Sequence, residues 1–309
     1  MSQYRLGLLL GMGAYALWGL FPLYFKALSA ATPLEVLAHR VIWSLVFVAL
    51  LLAIRRQWAW IRGVVRNRRV MGLLLVSSTA IALNWGVYIW AVGEDRVVEA
   101  SLGYFINPLV TVALGVLLLK ERLRRGQWVA VSIGVVAVVV LTVDYGRPPW
   151  IALTLAASFG TYGLVKKTVG IGSLESLAVE TALLFIPFLG YLLWLESRGE
   201  AAYVLDGWTT SLLLMSTGMV TAIPLLMFGG SARRIPLSMM GLLQYITPVI
   251  QFALGVYVFG EAMPASRWIG FGLVWLALAV LTYDSIRAAR RPSAHPSADP
   301  AANPVAEPV

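Results

Sequence analysis

The sequence predicts an all-α integral membrane protein with ten transmembrane helices, arranged as two inverted repeats of five. Three observations carry this prediction. The chain of 309 residues is 59% hydrophobic and 13% charged, with a mean hydropathy of +0.79, whereas soluble domains are about half apolar and a quarter charged. The apolar residues form runs that are long enough to cross a bilayer, and the second half of the sequence resembles the first.

The transmembrane prediction rests on apolar runs of about 20 residues, the length a helix needs to cross the hydrocarbon core. These runs do not alternate apolar and polar residues as the strands of a membrane barrel do, so helices are expected. In chain order, the ten predicted spans are Leu6–Phe25, Leu34–Ile54, Met71–Val92, Val98–Leu119, Gln127–Val143, Trp150–Val165, Ser176–Leu195, Trp208–Gly230, Pro236–Phe259 and Arg267–Tyr283.

The basic residues predict the orientation of the chain. Most of the 24 lysine and arginine residues fall in alternate connections, with dense groups between Arg55 and Arg69 and between Lys120 and Arg125. Basic residues concentrate in short cytoplasmic loops, so both termini are expected to be cytoplasmic. The net charge of +9 is spread over these loops. It therefore indicates a lipid bilayer as the partner and gives no reason to expect nucleic acid.

An internal repeat relates the two halves of the chain. Residues 106–144 align with 246–284 without a gap, and in this alignment "NPLVTVALGVLLLKE" is matched with "TPVIQFALGVYVFGE". Five spans in each half is an odd number, so the second half enters the membrane from the opposite side. Inverted repeats of this kind occur in secondary transporters and also in some channels.

Three segments follow from the repeat and from composition. The first five-helix repeat is predicted over 1–145 and the second, inverted repeat over 146–291. The remainder, 292–309, is rich in proline and alanine and is predicted to be a disordered cytoplasmic tail, because it offers too few large apolar residues to build a core.

Several stretches resemble a known family of membrane proteins. They include "EVLAHRVIWSLVF", "EASLGYFINPL" and "GLLQYITPVIQFALGVYVFGE", and the likeness covers nearly all of residues 4–285. The chain resembles the EamA-type ten-helix branch of the drug/metabolite transporter superfamily. The resemblance implies the EamA fold and a permease of the bacterial inner membrane that exports drugs, amino acids or other metabolites.

Ionisable residues inside the spans are candidates for coupling or gating. His39, Arg40 and Glu180 lie within predicted spans, where such groups are costly and usually face a cavity. One interpretation is that His39 or Glu180 titrates during transport and couples it to protons. The other is that Glu35, His39 and Arg40 form a satisfied helix-end cluster, in which Glu35 pairs with Arg40, and that Glu180 caps a kink.

Polar, aromatic and proline residues within spans 3, 4 and 9 predict the substrate pathway. Proline frees the carbonyl four residues earlier, and such carbonyls persist at membrane depth only where protein or a watery cavity satisfies them. Apolar walls with a few polar anchors suit an amphipathic organic substrate. The predicted pathway residues are Asn84, Trp85, Tyr88, Tyr104, Asn107, Pro108, Gln244, Tyr245, Pro248 and Gln251.

Two equivalent carboxylates end spans 4 and 9. Glu121 and Glu261 would be unfavourable at a helix C-terminus, so each is predicted to serve the start of the following helix as a structural residue.

The motifs bear on the class of function. The chain has no cysteine, two histidines, no zinc-binding H-E-x-x-H and no glycine-rich phosphate loop, so no enzyme, cofactor or metal site is expected. The leading hypothesis is a secondary exporter of small amphipathic molecules by alternating access. A facilitative amino-acid or metabolite permease and a channel are the alternatives, and a homodimer is left open.

Overall fold

A computed structural model describes residues 2–56, 58–119 and 123–289, and the regular secondary structure in these ranges is helical. The first helices are α1 (Gln3–Gly19), α2 (Phe21–Lys26), α3 (Pro33–Arg55), α4 (Trp60–Arg66), α5 (Arg68–Gly93), α6 (Val97–Leu119) and α7 (Arg125–Tyr145). They are followed by α8 (Trp150–Val169), α9 (Ser173–Ser197), α10 (Ala202–Leu205), α11 (Gly207–Ala232), α12 (Leu237–Leu243), α13 (Ile246–Ala253), a π-helical turn (Leu254–Val258) and α14 (Ala265–Ala289). The predicted tail over 292–309 and Glu121 lie outside the described residues.

Within the described ranges, nine helical segments are long and apolar enough to cross a membrane. They are Gln3–Lys26, Pro33–Arg55, Arg68–Gly93, Val97–Leu114, Arg125–Tyr145, Leu174–Ser197, Gly207–Ala232, Met239–Val258 and Ala265–Arg287. The chain is therefore a multi-pass, all-α integral membrane protein.

The predicted sixth span forms helix α8, of 20 residues, but is not among these nine segments. Its sequence is more polar than those of its neighbours, with serine and threonine residues along its length and a pair of lysines near its end. Two of these side chains, Ser158 and Lys166, bond to α5 and α9. Because α8 packs against α5 and α6, these polar groups are satisfied by protein and need not face lipid.

Local sequence signals set the helix ends. The Thr32 side chain accepts a hydrogen bond from the Glu35 N–H, and Pro33 occupies the first turn of α3, where the missing N–H of proline costs nothing. Helix α7 ends at Gly146, whose φ of 65° lies in the left-handed region, and two prolines follow. These signals place the helix ends close to the edges expected from hydropathy.

The helices pack as partners from different parts of the chain. Helix α1 lies against α11 and α13, α8 lies against α5 and α6, α3 lies against α9 and α11, and α6 lies against α13. Close approach depends on small residues in places. A Cβ at Gly218 of α11 would lie 2.2 Å from the carbonyl oxygen of Trp43 in α3, so only glycine lets these two helices touch there.

Helices α7 and α14 are antiparallel and are joined by an ion pair at each end. Near the start of α7, Arg124 Nε lies 2.7 Å from Asp284 Oδ2, close to the end of α14. Near the end of α7, Asp144 Oδ2 lies 2.9 Å from Arg267 Nε, close to the start of α14. At one end the aspartate belongs to α14 and the arginine precedes α7, whereas at the other end the aspartate belongs to α7 and the arginine to α14.

Candidate functional site

Arg40 is the centre of a buried cluster of aromatic and polar side chains. It is only 3% exposed, and its guanidinium carbon lies 4.0 Å from the ring centroid of Trp85. The rings of Phe21 and Phe25 lie 5.4 and 5.5 Å away. Arg40 Nε donates to Thr221 Oγ1 at 3.0 Å, whereas Nη1 is buried without a hydrogen-bond partner among the described residues.

The expected pairing of Arg40 with Glu35 is wrong. Glu35 Oε1 instead accepts a hydrogen bond of 3.1 Å from the Tyr203 N–H. The reason is helical geometry: residues five positions apart are separated by about 140° around a helix, whereas residues three or four apart share a face. Glu35 therefore points to the α10 segment, and Arg40 points towards α2, α5 and α11.

A hydrogen-bond network centred on Asn84 continues this cluster. Asn84 Nδ2 donates to the Leu155 carbonyl at 3.0 Å and to Ser158 Oγ at 3.1 Å. Asn84 Oδ1 accepts from the Tyr104 hydroxyl at 3.2 Å. The network joins α5 to α6 and α8, so this polar group deep in its helix is fully bonded, as burial requires.

Tyr88 connects the Asn84 network to the residues around Arg40. Its ring centroid lies 5.7 Å from that of Tyr104 and 6.0 Å from that of Phe25. The Tyr88 hydroxyl is buried and has no partner among the described residues. We define the arginine cluster as Phe21, Phe25, Arg40, Asn84, Trp85, Tyr88, Tyr104 and Thr221.

The pathway residues in the second part of α6 sit beyond this cluster. Helix α6 continues through Pro108 as one element, so that proline does not interrupt the helix. Asn107 is half-buried, and its Oδ1 has no hydrogen-bond partner among the described residues. This atom faces Gly160 of α8, whose missing side chain leaves room beside it.

The pathway residues of span 9 lie elsewhere, against α1. Gln244 and Tyr245 separate α12 from α13, and Pro248 occupies the first turn of α13. Gln251 Nε2 donates to the Trp18 carbonyl at 3.1 Å. That carbonyl lacks its usual helical donor because Pro22 stands four residues later. Pro22 is a signal for this contact that the sequence analysis did not use.

Tyr245 lines a different feature, an apolar groove on the side of the molecule. The groove has a volume of about 460 Å³ and lies between α6, α12 and α14. Its walls include Phe105, Trp275 and Thr282. Tyr245 thus lies apart from the arginine cluster, with which it was grouped on sequence grounds.

His39 lies at the Pro33 end of α3 in an aromatic contact. Its ring centroid is 4.9 Å from that of Tyr203, and its Nδ1 is buried without a partner among the described residues. Glu35 accepts from the backbone of the same tyrosine. His39 and Glu35 therefore share one neighbour, separate from the contacts of Arg40.

Glu180 is buried in an ion pair that the sequence analysis did not anticipate. It is 1% exposed, and its Oε1 lies 2.8 Å from Lys166 Nζ. The same oxygen accepts from Ser77 Oγ at 2.5 Å and from Ser176 Oγ at 3.1 Å, and Lys166 also donates to Ser176. This group joins α5, α8 and α9. The predicted span ended at Val165, one residue before Lys166, whereas α8 continues to Val169 and places Lys166 in its last turn.

This chain is similar to known membrane proteins over most of its length. Residues 5–143 match the model of the EamA-like transporter family. Protein RarD of Streptomyces exfoliatus is 57% identical over 293 residues, covering 95% of this chain and 93% of that protein. The chain belongs to the EamA-like transporter family, and within it to the RarD-like transporters. It is a membrane transporter.

Two further known proteins are similar to this chain over most of its length. The protein named "Uncharacterized transporter YojE" of Bacillus subtilis (strain 168) is 42% identical over 298 residues, covering 95% of this chain and 99% of that protein. A solved crystal structure with 20% sequence identity superposes with a TM-score of 0.56, covering 92% of this chain and 99% of the other. At this identity the likeness shows a shared fold alone.

The EamA-like chain also carries a polar pocket that the sequence analysis missed. The pocket has a volume of about 290 Å³ and lies where α5 ends and α6 begins. In it, Arg147 Nη2 lies 2.8 Å from the buried Glu99 carboxylate, and this hydrogen bonding raises the pKa of Arg147. The sequence signal was Glu99, a carboxylate just inside a predicted span.

Glu261 in this pocket corrects a second expectation. It accepts hydrogen bonds from the N–H groups of Val97 and Val98, at 2.5 and 3.0 Å, so it serves the start of α6 and not the helix that follows it. Unpaired N–H groups at a helix N-terminus attract a carboxylate wherever in the chain it comes from. Burial raises the pKa of Glu261 to about 7.

Proposed function

We propose that this chain is a secondary transporter that moves small amphipathic organic molecules across the bacterial inner membrane by alternating access. The observation that carries the proposal is the arginine cluster. Arg40 and Asn84, from the first half of the chain, bond to Thr221, Leu155 and Ser158 from the second. Secondary transporters place their substrate site at such a junction between repeats, near the middle of the membrane.

We infer ten spans, with α8 as the sixth, in two inverted repeats over 1–145 and 146–291. The α7–α14 pair supports this inference, because the two helices are equivalent in the repeat, run antiparallel and exchange an arginine–aspartate pair. The helix contacts support it as well: α1 packs on α11 and α13, and its equivalent α8 packs on α5 and α6. Inverted copies make the inward-facing and outward-facing states similar in structure and close in free energy.

With both termini in the cytoplasm, the two buried ionisable clusters lie towards opposite faces of the membrane. His39 lies towards the outer face, and Glu180 lies towards the inner face with Lys166. We propose that one of them takes up and releases a proton during transport. If His39 carries that proton, His39→Asn should abolish flux driven by a pH gradient; if Glu180 carries it, Glu180→Gln should do so. Counterflow without a gradient should stay intact in both variants. Full pH-driven flux in both variants would leave facilitative transport as the better description.

Counterflow in proteoliposomes tests the proposed function. Vesicles are loaded separately with amino acids, nucleosides or chloramphenicol, and uptake of the matching labelled compound is followed with and without a pH gradient. Uptake that saturates and overshoots equilibrium is expected, because a carrier exchanges one bound molecule for another. A channel would give neither saturation nor overshoot.

A matched pair of variants on α5 localises the substrate site. Asn84→Leu removes the bonds to Leu155 and Ser158 and should raise the KM for counterflow about 10-fold, the worth of one or two hydrogen bonds. The control is Thr79→Val on the exposed face of the same helix, which should leave the KM unchanged. Equal kinetics in both variants would remove Asn84 from the substrate pathway.

A further inference from the structure

Arg40 is a buried cation without a carboxylate partner. Among the lysines and arginines whose side chains the structure describes, Arg40 alone is buried. The three buried glutamates all bond elsewhere: Glu35 to the Tyr203 N–H, Glu99 to Arg147, and Glu180 to Lys166. The protein therefore buries a positive charge and leaves it uncompensated by any negative side chain that the structure describes.

The contacts that Arg40 does make only partly offset this cost. Arginine keeps its proton in proteins, so the charge cannot be shed. The rings of Trp85, Phe21 and Phe25 attract the guanidinium through their faces, and such contacts are weaker than an ion pair in a desolvated site. Thr221 accepts a hydrogen bond from Nε of Arg40, whereas the N–H groups of Nη1 have no acceptor among the described residues. A guanidinium held in this way is ready to bind an anion.

We propose that the transported molecule is a small organic anion with a single carboxylate and an aromatic or other apolar body, and that Arg40 binds that carboxylate. The proposal rests on the proposed transport function and names its substrate class. The Tyr88 hydroxyl, which has no partner among the described residues, supplies a second donor close to the same charge. The rings of Trp85 and Phe25 contact the apolar body.

The charge balance of the cluster selects a monovalent anion. One guanidinium neutralises one carboxylate, and the Lys166 ammonium is already paired with Glu180. A phosphate dianion would carry a second negative charge into the membrane without a cation to meet it, which is costly at this depth. A cationic drug would meet Arg40 with the same sign of charge. Both classes are therefore disfavoured.

The test compares ligands that differ only in the group facing Arg40. Benzoate, 3-phenylpropionate and indole-3-acetate are each measured beside the corresponding amide and amine, by the ligand-induced rise in Tm of the purified full-length protein. At least one carboxylate is expected to raise the Tm well above its amide and amine. Equal shifts for carboxylate and amide, no shift by any carboxylate, or an equal shift by chloride would overturn the proposal.

Variants assign the binding to Arg40. Arg40→Gln should raise the Kd for the carboxylate about 10- to 100-fold, and Arg40→Lys should give an intermediate value because the charge stays but the planar fork is lost. The control is the exposed Arg198→Gln, which should bind as the wild type does. If Arg40→Gln does not fold, Thr221→Val tests the same site, since it keeps the arginine but removes the hydrogen bond that orients its guanidinium. It should weaken binding of the carboxylate several-fold and leave the amide unaffected, and unchanged binding of the carboxylate would count against the proposal.

Counterflow separates this inference from the proposed function. If amides, amines or nucleosides are exchanged saturably and Arg40→Gln does not change this exchange, the protein is a transporter of a different substrate class. The transport function then stands and the inference about Arg40 fails. If carboxylates bind at Arg40 but no compound is exchanged, the inferred binding site stands and the proposed transport mechanism fails.

Discussion

Glu261 is a single carboxylate that joins the two halves of the chain. It follows the π-helical turn of the second half and accepts from two N–H groups at the start of α6 in the first half. Burial is the main cause that raises its pKa, and the two N–H donors lower it only in part. The folded protein therefore holds a proton on Glu261 more tightly than the unfolded chain does.

This difference in pKa predicts how stability depends on pH. The pKa of Glu261 rises from 4.5 to about 7 on folding, so the stabilisation by its proton is complete below pH 4.5 and is lost as the pH rises through about 7. The Tm of the wild-type protein should therefore fall between pH 5 and pH 8 more steeply than that of Glu261→Gln. The exposed Glu200→Gln serves as the control and should keep the wild-type slope. An identical slope in Glu261→Gln would show that Glu261 does not titrate in this range.

The sequence identified part of the site residue by residue. Asn84, Trp85, Tyr88 and Tyr104 were predicted together and do lie together, because spans 3 and 4 are neighbours in the chain. The partner of Arg40 was missed, since Thr221 lies 181 positions away and carries no charge that would mark it. Hydropathy and local spacing identify buried polar residues, but they do not identify a partner that only the tertiary fold brings near.

Among the elements, α7 and α14 depend on each other through the ion pairs at their two ends. The pairs use the same residue types but differ in burial: the Asp144 side chain is 5% exposed, and the Asp284 side chain is 19% exposed. The arginine partners differ in the same direction: the Arg267 side chain is 19% exposed and the Arg124 side chain is 47% exposed. An ion pair removed from water depends more strongly on both partners than one that water can replace.

The two ends of this helix pair should therefore respond differently to the same substitution. Asp144→Asn leaves Arg267 partly buried without its counter-ion and should cost about 2 kcal/mol of stability. Asp284→Asn is the matched control at the exposed end and should cost less than about 1 kcal/mol. Thermal unfolding of both variants in one detergent gives the comparison. A larger loss of Tm in Asp284→Asn would mean that burial does not rank the two pairs.

The helices themselves were largely predictable, and the interruptions were less so. Hydropathy located nine of the ten predicted spans as helical segments long and apolar enough to cross a membrane within the described residues, and caps such as Thr32 and Gly146 fixed several ends. Proline gave an ambiguous signal. Helix α6 passes through Pro108 unbroken, whereas α12 and α13 are separated just before Pro248. The outcome depends on packing partners, such as α1 against α13, which the local sequence does not reveal.

At the scale of the whole molecule, the proposed inverted repeat requires that the two halves cross the membrane in opposite directions. Equivalent positions must then reach opposite faces. Arg125 and Ala265 are such a pair, 140 positions apart, and each is exposed at the first residue of its helix, α7 or α14. The chain contains no cysteine, so one introduced thiol reports on one position alone.

Single-cysteine variants at these two positions test the inversion directly. We expect a membrane-impermeant maleimide to label Ala265→Cys in intact cells, and to label Arg125→Cys only after the membrane is opened or inverted, because the basic residues around the start of α7 predict a cytoplasmic position for it. Labelling of both variants from the same side would exclude two inverted repeats. It would also remove the physical reason for two conformations of similar free energy, and with it the mechanism proposed for the arginine cluster.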